Sequence, residues 1–223
     1  MRVVSLVPSV TETLLAWGVE PVACTRFCEQ PRLPHVGGTK NPDVPAIVAL
    51  APDLVVLNDE ENRREDADAL AAAGLDVHVV HVEAVGDVAP EMARLAERID
   101  VGFEPWDVPD PPQPRLRAFV PIWRRPWMTV NGQTYGASML AHVGVATVFA
   151  DAPDRYPTVT LEDAAALAPD LVLAPSEPYA FTDRHVPELS TVAPVVLVDG
   201  KDLFWWGART PAALVRLSHS LFG

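Results

Sequence analysis

One phrase occurs twice in this chain. Residues 49–57 read ALAPDLVVL and residues 166–174 read ALAPDLVLA, 117 positions apart. Each copy reads as the end of a helix, a Pro-Asp turn, and an apolar run rich in Val and Leu. Such a run is too short for a helix and matches a strand covered on both faces, as in parallel sheets. A doubled phrase implies doubled architecture. The expected fold is therefore α/β, with two similar lobes, each a small parallel sheet with flanking helices, and a ligand cleft between them. The boundaries expected are 1–99 for the N-terminal lobe, 100–116 for a connector and 117–223 for the C-terminal lobe.

The surrounding sequence alternates strand with helix in both halves. In the first, Arg2 to Leu6 reads as a strand and Ser9 with Glu12 as a capping box, with Gly18 as a left-handed stop. Asn62 to Ala73 reads as a helix ending at Gly74, followed by a strand over Val77 to Val82. In the second, Arg117 to Trp123 opens the lobe, Gly136 to Val143 is helical, Thr160 caps a helix, and Val195 to Val198 is a strand. Thr210 followed by Pro211 reads as an N-cap with proline at the first helical position, so Ala212 to Leu221 closes the chain as a helix. Residues 100–116, DVGFEPWDVPDPPQPRL, carry prolines at 105, 109, 111, 112 and 114, too dense for a helix. This stretch is expected to be an extended, stiff connector.

Composition narrows the function classes. With 49% hydrophobic and 21% charged residues the chain is an ordinary globular protein. A formal charge of −13 gives no basic footprint for phosphate backbones or anionic membranes, so nucleic acid and membrane insertion are set aside. Met1 to Leu6 runs straight into the first strand without the pattern of a signal peptide. The location expected is cytoplasmic as the sequence stands, or extracytoplasmic if a signal has been removed.

In parallel α/β sheets ligands bind beyond the carboxyl ends of strands. The loops there carry Pro8, Ser9 and Phe27 in the first half, and Trp123, Arg124, Trp127, Tyr135, Tyr179, Trp205 and Trp206 in the second. Aromatic side chains gathered at strand ends suit a large, flat ligand, because they offer wide apolar area at low entropic cost. The repeat adds one more pair: Glu60 and Glu177, again 117 positions apart, each lie three residues beyond the same strand. No metal site is expected. His78 and His81 are three apart in a strand-like run and fall on opposite faces, and the other histidines are scattered. Cys24 and Cys28 have neither thioredoxin nor zinc spacing and read as a buried thiol and a loop thiol. Phosphate-loop, dinucleotide and nucleophile-elbow motifs are missing, so no catalytic residue is assigned. Asp59, Glu60 and Glu61 form an acidic loop with no apparent nucleophile beside it.

The opening RVVSLVPSVTETLLAWG, the turn VGGTKNPD, ALAPDLVVLNDEENRRED, IWRRPWM, ALAPDLVLAPSEPY and the closing DLFWWGARTPAAL together resemble the class III, cobalamin-type solute-binding proteins of ABC importers, also called helical-backbone metal receptors. The resemblance implies capture of a cobalamin-like corrinoid or related tetrapyrrole or metal chelate. Cobalamin or haem would be a bound ligand, with no required cofactor. It implies that Trp123, Trp127, Trp205 and Trp206 line the cleft with Pro8, Ser9 and Tyr135, and that Glu60 and Glu177 dock to an ABC permease. Two features depart from the family pattern: no export signal is seen, and the linker is proline-rich where the family has one long helix. They support an alternative reading, a cytoplasmic enzyme or ligand-handling accessory protein built on the same fold.

Overall fold

The computed structural model describes residues 1–223. The chain divides into two compact units. Unit 1 comprises Met1–Val82, Gly86–Asp107 and Trp206–Ala208; unit 2 comprises Glu83–Val85, Val108–Trp205 and Arg209–Gly223. No helix is long and apolar enough to cross a membrane.

The elements of the first half run in chain order as β1 (Val3–Ser5), α1 (Pro8–Ala16), β2 (Ala23–Cys24), β3 (Gly37–Gly38), β4 (Asn41–Pro42), α2 (Val44–Ala49), β5 (Leu54–Asn58), α3 (Arg64–Ala72), β6 (Val77–Val80) and α4 (Val85–Arg98). A short 3-10 turn, Arg26–Cys28, follows β2. The second half runs β7 (Leu116–Phe119), β8 (Trp127–Met128), α5 (Tyr135–His142), β9 (Val145–Thr147), β10 (Thr158–Val159), α6 (Leu161–Ala166), β11 (Leu171–Pro175), α7 (Val186–Leu189), β12 (Val195–Val198), α8 (Gly200–Phe204) and α9 (Thr210–Phe222).

The doubling read from the sequence is repeated in the topology. Unit 1 holds a four-stranded parallel sheet in the order β2-β1-β5-β6, and unit 2 holds one in the order β9-β7-β11-β12. The strands of the repeated phrase, β5 and β11, are central in their sheets and buried at every residue, which is why they carry no polar alternation. Beneath β5 lies a core of Val4, Leu6, Ile47, Val55, Leu57 and Leu70; beneath β11 lies one built on Phe119, Val172, Ala174, Phe181 and Leu189.

The Pro-Asp turn does the same work twice. Asp53 Oδ2 accepts from the Arg2 amide at 2.6 Å, and Asp170 Oδ2 from the Arg117 amide at 2.7 Å. Each arginine reaches back to the preceding helix end, Arg2 to the Leu50 carbonyl at 2.8 Å and Arg117 to the Leu167 carbonyl at 3.1 Å. Ala51 and Ala168, just before the prolines, both adopt left-handed φ, 44° and 47°. The aspartate thus sets the register between the first and third strands of each sheet.

Several local expectations need correction. Ser9 does not cap α1: the helix starts one residue earlier, with Pro8 pre-set for the first turn and Val7 at the N-cap without a side-chain bond. Thr210 does not cap α9 either, because its hydroxyl is 2.9 Å from the Tyr135 hydroxyl and the cap position falls to Arg209. Asn62 precedes α3 and is used by the loop before it. Gly18 and Gly74 do end their helices at φ 75° and 82°, and Thr160 forms a capping box with Asp163. Helix α4 escaped the sequence reading because Pro90 lies inside it, although Val85, Val88, Met92, Leu95 and Ala96 mark a helical stripe, all buried. Pro90 is exposed, so the carbonyl it leaves unbonded faces solvent. The proline-rich stretch forms neither helix nor strand until Leu116, which already belongs to β7. Its first part is anchored by aromatics within unit 1: Phe103 lies 5.5 Å from Trp17 and 5.7 Å from Trp106.

Candidate functional site

At the strand ends of unit 1, the loop after β5 is held by two asparagines. Asn58 Oδ1 accepts from the amides of Glu60 and Glu61 at 3.1 and 3.0 Å, and its Nδ2 donates to the Val80 carbonyl at 3.0 Å. Asn62 Oδ1 accepts from the Asn58 amide at 2.8 Å, and Asn62 Nδ2 donates to the Thr39 carbonyl at 2.8 Å. Lys40 Nζ closes the loop on the Glu60 carbonyl at 2.7 Å. Both asparagines are buried, so Glu60 and Glu61 project from a rigid base. Asp59 pairs with His81 at 2.5 Å. The sequence reading gave Asn58 no role and took Asn62 as a helix start, yet polar amides bracketing an acidic loop were the available signal.

Glu61 carries the most displaced carboxyl in this unit. Burial, helped by nearby Cys28 and Glu60 and opposed by Lys40, pushes it up to about 7. Raised in the folded state, it makes stability fall as pH climbs from about 4.5 to about 7, where the native chain holds more protons than the unfolded one. Glu61→Gln is therefore expected to abolish that slope. Chemical denaturation at pH 8 should show the variant more stable by about 1–2 kcal/mol, discounted because part of the side chain meets water, with little difference at pH 4.

Pro8 and Ser9 are buried in the first turn of α1. Phe27, by contrast, is 49% exposed, with the Arg26 guanidinium 4.8 Å from its ring centre. Gly38 admits this pair, since a Cβ there would lie 3.0 Å from the Phe27 ring.

The strand ends of unit 2 carry an aromatic ledge. Trp123, 45% exposed, meets Tyr179 edge-on at 5.6 Å. Tyr179 lies 4.7 Å from Phe181, and Trp127 lies parallel to Phe181 with ring centres 6.0 Å apart. His185 backs the group; burial and the Arg184 and Arg124 guanidiniums hold it below the usual imidazole range. Arg124 is fixed by Glu188 at 2.8 Å, and Arg125 sits at a left-handed φ of 69° in the tight turn between the two tryptophans. Backbone in that region is unfavourable for a non-glycine residue and collects at functional sites.

Beside the ledge, Trp205 Nε1 donates to Glu177 Oε2 at 2.9 Å. Lys201 stands 4.8 Å from the centre of the same indole ring. Gly200 makes the approach feasible, because a Cβ there would fall 2.3 Å from the Glu177 amide. The glutamate and the indole, read separately in the sequence, form one bonded unit. Trp206 and Tyr135 are placed differently, at 4% and 5% exposure, with Tyr135 bonded to Thr210. Among the candidates Trp123, Arg124, Trp127 and Tyr179 stand together, and Glu177 stands with Trp205; Phe27, Pro8, Ser9, Glu60 and Trp206 fall in unit 1.

Comparison with known proteins gives a consistent picture. A family described as periplasmic binding protein matches residues 3–101. A vitamin B12-binding protein of Yersinia pestis (strain Pestoides F) is 25% identical over 240 residues, covering 96% of this chain and 82% of the relative. The crystal structure of the periplasmic vitamin B12 binding protein BtuF of Vibrio cholerae superposes with a TM-score of 0.79 at 18% identity, covering 99% of this chain and 96% of that one. A periplasmic heme binding protein from Pseudomonas aeruginosa gives 0.80 at 18% identity, covering 99% and 92%. These likenesses to solved structures establish the fold.

Proposed function

We propose that the chain is a class III solute-binding protein of an ABC importer, one that captures a corrinoid or related tetrapyrrole and delivers it to a permease; the periplasmic binding protein family match over residues 3–101 and the vitamin B12-binding relative support that reading. The observation that carries the ligand class is the ledge of Trp123, Trp127 and Tyr179 at the strand ends of unit 2. The exposed Trp123 ring, with half-buried Trp127 and Tyr179 beside it, fits a broad planar guest better than a small polar solute, since stacked area rather than hydrogen bonding supplies the energy. Arg124, Tyr135 and Trp205 are the further ligand contacts assigned to unit 2, and Pro8, Ser9, Phe27 and Trp206 are those assigned to unit 1. Handing cargo to a permease places the working protein outside the cytoplasm.

The test of the ledge is a substitution series read by quenching of tryptophan fluorescence on titration with cyanocobalamin and with haemin. Trp123→Ala and Trp127→Ala are each expected to weaken binding by about 1–3 kcal/mol. Unchanged affinity in both would remove the ledge from the site.

Glu60 and Glu177 are proposed to meet basic groups of the permease. Both carboxylates extend from loops fixed by their neighbours, Glu60 by Asn58 and Lys40, Glu177 by Gly200 and Trp205. Pre-ordered acids lose little entropy when they pair with cations, and exposed pairs of this kind govern association rate. Glu60→Ala should keep its ligand affinity and Glu177→Ala should lose no more than Trp205→Ala loses, since the glutamate holds that indole, while association of the double variant with permease-bearing vesicles slows and loses salt dependence. Docking that matches the unaltered chain would refute the assignment.

A further inference from the structure

Two thiols lie together at the carboxyl end of β2. Cys24 ends the strand and Cys28 closes the 3-10 turn behind it, its amide donating to the Thr25 carbonyl at 3.1 Å. The turn brings the two cysteines into one small buried cluster, and no disulfide joins them. Both are buried, at 0% and 2% exposure, with Leu33 packed against them. Their surroundings differ. Thr11 Oγ1, whose one proton also faces Ser5 Oγ at 2.8 Å and the Val7 carbonyl at 3.0 Å, lies 3.1 Å from Cys28 Sγ, and Thr25 Oγ1 lies 3.2 Å from the same sulfur. A cysteine that merely fills space needs no such hydroxyls.

We infer that Cys24 and Cys28 form a redox site, at which a peroxide oxidises the two thiols to a disulfide within the chain. Cys28 is the attacking sulfur. The Cys24 hydrogen bond and then the Thr11 and Thr25 hydroxyls favour its thiolate against the opposing effect of burial. Cys24 keeps its proton, because its bond to Cys28 and its burial both disfavour ionisation. The Cys28 thiolate attacks one peroxide oxygen, the O–O bond breaks, and the departing hydroxide takes up a proton to become water. The sulfenic acid left on Cys28 is then attacked by Cys24. The S–S bond forms, and water leaves with the sulfenic oxygen and the Cys24 proton. Two thiols lose two electrons and the peroxide becomes two waters. A small oxidant suits a pair buried this deeply, whereas bulky disulfides do not reach it. The product clamps the turn carrying Arg26 and the exposed Phe27, and so couples oxidation state to the shape of that loop.

Exposure of the folded chain to one equivalent of hydrogen peroxide tests this, with alkylation under denaturing conditions, intact mass and peptide mapping as readouts. The expected product is lighter by about two daltons, resists alkylation at both cysteines, yields a cross-linked Cys24–Cys28 peptide, and reverts with dithiothreitol. In Cys24→Ser, Cys28 should stall as a sulfenic acid that dimedone traps. Cys28→Ser should consume peroxide roughly tenfold more slowly. An unaltered chain whose two thiols alkylate fully after exposure overturns the inference, as does sulfinic acid on Cys28 or a disulfide between chains. The measurement on the unaltered chain decides the matter even if a variant folds poorly.

Discussion

Asp202→Ala is expected to lower the unfolding free energy of unit 2 by about 2–4 kcal/mol. Asp202 lies in α8 with its side chain only 6% exposed, and both carboxylate oxygens are engaged. Arg216 in α9 grips it with two bonds of 2.6 Å, and Arg209 adds a third at 2.9 Å. Removing one partner of a buried pair costs more than the pair contributes, because the remaining charge has been taken out of water. Arg209 is 15% exposed and suffers most, while Arg216 is 51% exposed and rehydrates, which keeps the estimate below the full cost of breaking a wholly buried pair. The loss should appear as a lowered urea midpoint with an unchanged slope. Asp202→Asn, which retains an acceptor but not the charge, should lose less.

Gly207→Ala is expected to destabilise unit 1 by a similar amount, about 2–4 kcal/mol, through backbone strain and overlap together. Gly207 adopts φ 111°, a conformation open to glycine and unfavourable to alanine. A Cβ there would fall 2.1 Å from Thr13 Oγ1 and 3.5 Å from the Ser9 carbonyl oxygen. That hydroxyl is already committed, donating to Ser9 O at 2.9 Å and accepting from the Ala208 amide at 3.1 Å. The substitution therefore breaks two bonds as well as crowding α1. Pairing it with Thr13→Ala should recover part of the loss, since the overlap is relieved and the backbone strain remains. A melting temperature unchanged by Gly207→Ala would show that the Trp206–Ala208 segment is not held in this way.

The architecture was legible in the sequence because it rests on local apolar patterns written twice. The runs at Leu54 and Leu171 became the central strands β5 and β11, and the aspartates of the repeated turn bond the first strand of each sheet. What escaped depends on contacts distant in sequence or on competing local rules. Helix α4 was hidden by Pro90, whose exposed position makes it tolerable in the folded chain. The caps assigned to Ser9 and Thr210 failed for different reasons: Pro8 drew the helix start forward, and Tyr135 claimed the threonine hydroxyl.

Candidate site residues were legible by type more than by partner. Aromatic side chains at strand ends were visible as such, but the ring packing of Trp123, Tyr179, Phe181 and Trp127 joins segments some 50 residues apart. The bond from Trp205 to Glu177 spans 28 residues, and the Thr11 hydroxyl meets Cys28 across 17. Two cysteines that looked unremarkable by spacing share one buried cluster because a 3-10 turn folds one back toward the other. Glu61 likewise reads as a surface acid until its surroundings are known.

Visible absorbance of cobalamin and of haemin, titrated with the purified chain, tests the central claim most directly. The aromatic ledge should produce a saturable spectral shift for at least one of the two, ending at a stoichiometry fixed by protein concentration, and Trp123→Ala should move the curve to higher protein. Spectra of both ligands that stay unchanged at roughly tens of micromolar protein would contradict tetrapyrrole capture.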